Sequence, residues 1–181
     1  MRSGPIAGVP VSHQDFRDLM GSFPTGVAVV AAIRPDGRPI GMTCSSVCSV
    51  SLTPPTLLAC LRVGSSTLDA ILARSCFTVN LLHADAQPAA ELFASAAPDR
   101  FERVVWDLEP DGAGPHLIRD AHRVADCRLS GTAPVGDHQI IFGEVVRVSM
   151  RVAGRPLLYG LRRYSAWPDG DRRDGRNGRP A

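Results

Sequence analysis

A mainly β chain, closed into an antiparallel barrel with a few short helices around it, is the fold class that these 181 residues predict. Three observations carry that expectation. Six or seven apolar runs of strand length follow one another, joined mostly as hairpins. The helical stretches between them are few and short. The glycine-rich phosphate loops of parallel nucleotide folds, G-x-G-x-x-G and G-x-x-x-x-G-K-S/T, do not occur, nor does a repeat of solenoid length.

Ser12 and Asp15 have the spacing of a capping box, with Asp in place of the usual Glu or Gln. Phe16, Leu19, Met20 and Phe23 follow on one face, so residues 12–22 read as a helix that Pro24 limits. The apolar run at 25–33 is a buried strand, and Pro35, Asp36 and Gly37 turn it into a second strand over 38–46. Residues 56–61 form another strand, after which Ser65 or Ser66 caps a short helix carrying Leu68, Ile71 and Leu72. Strand resumes at 77–82. A helix over 84–94 sends Leu92 and Phe93 inward, and 98–115 is loop-like, rich in Gly and Pro near its end. The last third returns to strands at 122–129, 138–150 and 156–159.

Length and a 44% apolar content suit one domain, expected over 12–167, between a flexible segment at 1–11 and a disordered, Arg-, Asp- and Gly-rich tail at 168–181. A formal charge of +2 is too small to mark a nucleic-acid or membrane surface, and aromatics at 6% give no stacking stripe for single-stranded nucleic acid. Cys44, Cys48, Cys60, Cys76 and Cys127 contain no C-x-x-C pair and meet no His cluster, so neither a disulfide framework nor a metal site is expected. No run has the length of a membrane span and the first residues lack a signal-peptide pattern, which points to the cytoplasm.

Function concentrates in residues 41–55, which crowd small side chains and hydroxyls into an extended segment. Thr43, Ser45, Ser46, Ser49 and Ser51 offer neutral donors with little bulk, as a flat, polar-edged ligand with a phosphate tail requires. A solvated strand edge is the other reading of the same residues.

Further motifs recur in a family order: Phe23-Pro-Thr-Gly-Val27, Gly41-Met-Thr43, Ser49-Val-Ser-Leu52 with Pro54-Pro55, Phe77-Thr-Val-Asn-Leu81, Asp99-Arg-Phe101, Gly136-Asp-His138 and Gly154-Arg-Pro-Leu-Leu-Tyr159. With them the chain resembles the short-chain flavin reductases, the flavin-binding split-barrel partners of two-component flavin monooxygenases. The resemblance implies an FMN-binding split β-barrel, antiparallel and Greek-key-like, with FMN or FAD and NADH or NADPH as its small molecules. It also implies a monooxygenase component as partner, and a homodimer.

By the same resemblance Thr43, Ser45 and Ser46 line the ribityl and phosphate side of the flavin, and Ser49, Val50 and Ser51 run beside the isoalloxazine edge. Cys44 and Ser45 stand where the family often has Asn or Ala. Ser65, Ser66 and Thr67 either bind phosphate at a helix N-terminus or simply cap the helix. Arg100, with Phe101 beside it, matches the family's basic residue for the flavin phosphate. Asn80 either presents its amide to the ligand or ends a strand. His138 is expected at the mouth of the site, positioning the nicotinamide or donating a proton near neutral pH. Tyr159, Tyr164 and Trp167 either close over a ring or pack on the barrel. The alternatives to a flavin reductase are an oxidoreductase with fixed flavin acting on a small organic substrate, and a non-catalytic flavin-binding barrel.

Overall fold

The computed structural model describes residues 10–168. The flexible 1–11 and disordered 168–181 expected above lie, apart from residues 10, 11 and 168, outside the described residues. In chain order the elements are α1 (His13–Gly21), β1 (Thr25–Gly26), β2 (Ala28–Ile33), β3 (Pro39–Cys44), β4 (Val47–Leu52), β5 (Pro55–Arg62), α2 (Ser66–Arg74), β6 (Cys76–Leu82) and α3 (Gln87–Ala94). A single 3-10 turn (Arg100–Glu102) follows, then β7 (Trp106–Asp107), β8 (His116–Leu117), β9 (Ala121–Val135), β10 (His138–Met150), β11 (Leu157–Gly160) and β12 (Arg163–Ala166).

Seven strands pair in the order β3-β2-β6-β9-β10-β5-β4, each pair antiparallel. The two edge strands, β3 and β4, are consecutive in sequence and joined through Ser45 and Ser46, yet they do not pair with each other. The sheet curls until both edges share one core: Met42 and Cys44 of β3 and Val47 of β4 pack with Leu61, Phe77 and Ile141. The result is a mainly β barrel, split between β3 and β4, with the hydroxyl-rich segment spanning the split.

Alternation along β2 explains its unbroken apolar run. Ala28, Val30 and Ala32 face the barrel core, while Val29 and Ala31 face a second core with Ala90 and Phe93 of α3, Leu117 and Leu157. Each large apolar side chain buried there, such as Phe77 or Phe93, contributes about 1.5–3 kcal/mol of transfer free energy. The helices α2 and α3 therefore lie on opposite sides of β2. One plugs the barrel with Leu68 and Ile71, and the other covers its outer face.

The structure corrects the strand list, and it adds β4 and β8, which lie outside the strands expected above. The run at 25–33 breaks at Val27, whose amide donates to Leu157 O; β1 pairs with β11 and β2 with the barrel. The 98–115 loop contains the 3-10 turn and β7, β9 continues to Val135, and β12 was not foreseen. Strands of two to four residues carry too few positions to show a period of two. The α1 boundaries agree with the capping reading, since Ser12 Oγ accepts the Asp15 amide at 3.0 Å. Its apolar face does not pack on its own barrel, however: Phe16, Leu19, Met20 and Phe23 are all exposed. Leu72 is likewise exposed, and Leu92 is only half-buried beside the buried Phe93.

Candidate active site

Three adjoining hollows form one groove along the split. The first, about 330 Å³, is lined by Ile40, Met42, Thr43, Ser65, Ser66, Thr67, Phe93, Ala94, Ser95 and Arg100. The second, about 200 Å³, shares Thr43 and Ala94 with it and adds Val27, Ser45, Tyr159 and Tyr164. The third, about 720 Å³, shares Ser45 and Tyr159 with the second and extends past Ser46, Val47, Cys48, Leu58 and Cys60 to Phe16, Met20 and Phe23. The groove thus runs from the N-terminus of α2 to the exposed face of α1.

At the α2 end, Ser65 is the N-cap and its Oγ accepts the Leu68 amide, so the first turn of α2 borders the hollow through Ser65, Ser66 and Thr67. Arg100 faces the same hollow from the 3-10 turn, where Nη1 donates to Gly41 O at 3.1 Å and Phe93 O at 3.4 Å. Partial burial, and then the charge of Arg34, hold its pKa below the ordinary arginine value. Both of these acceptors are neutral carbonyls. A cation held between neutral carbonyls beside a helix N-terminus favours an anion in the hollow.

The middle of the groove is neutral. Thr43 Oγ1 donates to Ala90 O at 2.6 Å, tying β3 to α3, and Ser46 Oγ donates to Cys60 O at 3.2 Å, holding the segment against β5. Tyr159 and Tyr164 stack at a tilt with ring centroids 5.1 Å apart. Burial, and then Tyr159, push the Tyr164 phenol above its ordinary pKa, so it stays a neutral wall. Ser49, Val50 and Ser51 lie beyond the lining of these hollows, on the free edge of β4, where the register slips between Ser49 and Ser51. That bulge leaves Val50 exposed and turns unpaired backbone groups outward.

Several expected site residues do other work. Asn80 is fully buried: its Nδ2 donates to Val29 O, Thr78 Oγ1 and Pro115 O, and its Oδ1 accepts the Leu117 amide at 2.8 Å. Alternation along β6 sends it to the second core, where it fastens the 108–117 loop, and no polar atom is left for a ligand. Cys44 points into the barrel core, where burial raises its thiol pKa, and it lines none of the three hollows. Phe101 is packed edge-on between Phe93 and Trp106, at centroid distances of 5.0 and 5.7 Å, and supports the groove from below. His138 lines none of the three hollows. It opens β10 opposite Arg62, and its Nδ1 is 2.8 Å from Asp137 Oδ1. Trp167 is exposed and outside the groove.

The sequence reading missed Arg17, which lines the third hollow together with Arg162 and the apolar face of α1. The one signal was that stripe of Phe16, Met20 and Phe23 on one face of the helix. Among the described residues no cluster of His, Cys, Asp or Glu could hold a metal ion, and no helix is long and apolar enough to cross a membrane.

A split barrel with an anion-ready helix terminus at one end of a neutral, aromatic-walled groove defines a nucleotide-binding class. Comparison with known proteins makes this specific. The flavin reductase like domain matches residues 20–168. A flavin reductase (NADPH) of Lentzea aerocolonigenes is 48% identical over 164 residues, covering 90% of this chain and 95% of that protein. The reductase subunit HsaB of a flavin-dependent monooxygenase from Rhodococcus jostii is 34% identical, covering 90% of this chain and 82% of that one. The structure of the Streptomyces globisporus NADH:FAD oxidoreductase SgcE6, in complex with NAD and FAD fragments, superimposes with a TM-score of 0.81 at 32% identity. It covers 91% of this chain and all of that one. The chain belongs to the flavin reductase family, the NAD(P)H:flavin oxidoreductases.

Proposed function

We propose that the chain reduces a free flavin nucleotide with NADH or NADPH and releases the product to a monooxygenase component. The observation that carries the reading is the convergence of Ser65, Ser66, Thr67 and Arg100 on one hollow at the α2 N-terminus. It fits the terminal phosphate of FMN or the pyrophosphate of FAD. From there Thr43, Ser45 and Ser46 follow the ribityl chain, and the edge of β4 at Ser49–Ser51 offers backbone groups to the ring. A bound flavin supplies the redox chemistry, taking up a hydride from the dihydronicotinamide. The protein's work is positional. It orients two rings at a separation of about 3–3.5 Å and needs no nucleophile or triad. His138 stands at the turn beside Arg62, next to the α2 end, and serves as a positioning group for nucleotide or flavin rather than as a base within the groove.

The same reading places the enzyme in the cytoplasm, consistent with its five free cysteines. It also makes the enzyme a homodimer. Val146, Val148 and Met150 alternate along one face of β10, and all three are more than half exposed. A stripe of this kind asks for a partner surface.

An anaerobic turnover assay crossing NADH and NADPH with riboflavin, FMN and FAD tests the reading. Saturable dependence on added flavin is expected. Rates indifferent to added flavin would favour a fixed prosthetic group instead. In the same assay Arg100→Ala lowers the affinity for FMN about ten- to a hundredfold, the worth of one or two charge-assisted bonds, while riboflavin, which has no phosphate, changes by about twofold or less.

A further inference from the structure

The groove has a second cationic end that flavin binding leaves unused. Arg17 of α1 and Arg162 of the β11–β12 turn both line the 720 Å³ hollow, at its exposed rim, above walls made by Phe16, Met20, Phe23, Leu58 and Tyr159. The two elements that carry them are fastened together. Leu161 and Arg162 adopt left-handed backbone, with φ of 49° and 59°, and the Leu161 amide donates to Gly21 O at 2.7 Å at the end of α1. Arg162 Nη2 also donates to Asp18 Oδ1 at 3.3 Å, with both side chains well exposed. Asp18 therefore orients Arg162 while neutralising only part of its charge. Arg17 forms no ion pair among the described residues.

A dinucleotide whose nicotinamide must reach the middle of the groove, and whose path toward Arg100 is taken by the flavin, leaves by the α1 end. Its adenosine half then lies in the apolar hollow, with the ribose at the rim. We infer that Arg17 and Arg162 are specificity residues that clasp the 2′-phosphate of NADPH, so that the chain selects the phosphorylated dinucleotide. Two guanidiniums on tethered elements present planar donor forks to a dianionic phosphate, which a ribose 2′-hydroxyl cannot reward equally. Of the other arginines, Arg62 stands at the opposite strand end beside His138, Arg147 is engaged with Asp126, and Arg163 lines none of the hollows. The inference rests on the flavin reductase reading and adds to it the choice of electron donor.

Arg17→Ala, Arg162→Ala and the double variant are compared with the wild type for kcat/KM with NADPH and with NADH at saturating flavin. Calorimetry is run in parallel with adenosine 2′,5′-bisphosphate and with 5′-AMP. Both arginines are exposed, so the variants fold. The expected result is a wild-type preference for NADPH, a loss of about tenfold per arginine with NADPH only, and retention of NADH turnover to within about twofold. The bisphosphate binds the wild type more tightly than 5′-AMP does, and that advantage vanishes in the double variant. Arg17→Lys keeps part of it. Equal losses with both dinucleotides would place the arginines on the shared pyrophosphate and overturn the inference, as would a wild type that binds bisphosphate and monophosphate alike. A failure of the underlying reading looks different: the wild type then reduces no flavin with either dinucleotide, and this inference falls with it.

Discussion

Asn80 and Arg100 show how burial decides what a polar residue is for. Both sit near the groove in sequence motifs, but Asn80 spends every hydrogen-bonding atom on Val29, Thr78, Pro115 and Leu117 inside the second core. Asn80→Ala orphans the buried Leu117 amide, while the Pro115 carbonyl keeps the Thr78 hydroxyl at 2.8 Å. We expect a loss of about 2–4 kcal/mol in urea unfolding with no change in the flavin KM beyond about twofold. A large rise in KM with unaltered stability would return Asn80 to the binding site. A second buried polar group, Asp126, titrates with the fold. Burial by itself pushes its carboxyl pKa up, but hydrogen bonds from His116 Nε2 and the Ala113 amide, with the Arg147 charge, outweigh that and hold it below the ordinary carboxylate value. His116 in turn accepts from Arg151 at Nδ1, and Arg151 pairs with Glu109, so the network clamps the 108–117 loop. A depressed folded pKa means that the stabilisation is present above the unfolded value of about 3.9 and is lost as pH falls through the folded one. Asp126→Asn is therefore expected to be less stable than wild type at pH 7 by about 1–3 kcal/mol, with Arg147's exposure screening part of the pair. The gap should narrow from about pH 5 to pH 3. A gap constant across that range would contradict the assignment.

At the scale of the element, β10 and α2 place the site by close packing. Gly143 lies in β10 where the register with β9 shifts, and a Cβ built there would be 2.5 Å from Phe77 Cζ and 3.0 Å from Cys127 Cβ. Only glycine lets β10 approach β6 and β9 so closely. Gly143→Ala should cost about 1–3 kcal/mol by overpacking, lowering Tm by roughly 2–12 °C. Phe77→Leu in the same chain should recover part of that loss by removing the ring edge. If the double variant melts lower than the sum of the singles, the steric account is wrong. The elements themselves were partly legible in sequence. The Ser12 and Ser65 caps, the apolar run of β2 and the turn at Asp36 and Gly37 are local signals, and the structure uses each of them. What could not be read were β1, β7, β8 and β12, whose two to four residues are strands only because a distant partner pairs with them, as Thr25 does with Tyr159 and Leu157 with Ala166. The same holds for the inward turn of Asn80 and Cys44, set by which sheet face each residue occupies and not by its chemistry.

For the molecule as a whole, a single chain leaves two apolar faces uncovered, one on α1 and one on β10. The β10 stripe is the dimer surface in our reading. Val148→Glu places a charge at its centre and should convert a dimer to a monomer in sedimentation equilibrium, while far-UV circular dichroism stays unchanged. A wild type that sediments as a monomer would remove the stripe from that role and leave it unexplained. The groove, too, is a property of the whole. It exists because β3 and β4, neighbours in sequence, end up as opposite edges of one curled sheet and never pair.

Sequence alone determined the class of fold, the starts of α1 and α2, the hydroxyl-rich segment and, through ordered motifs, the flavin-binding family. Each of these depends on side-chain chemistry and spacing along a few adjacent residues. Tertiary structure decided which of the polar residues meet. It brought Ser65, Ser66, Thr67 and Arg100 to one hollow, withdrew Asn80, Cys44 and Phe101 into packing, and set Arg17 and Arg162 on the lining of another. Those juxtapositions join residues separated by tens of positions or more, and only the register of the barrel and the direction of each side chain from its sheet fix them.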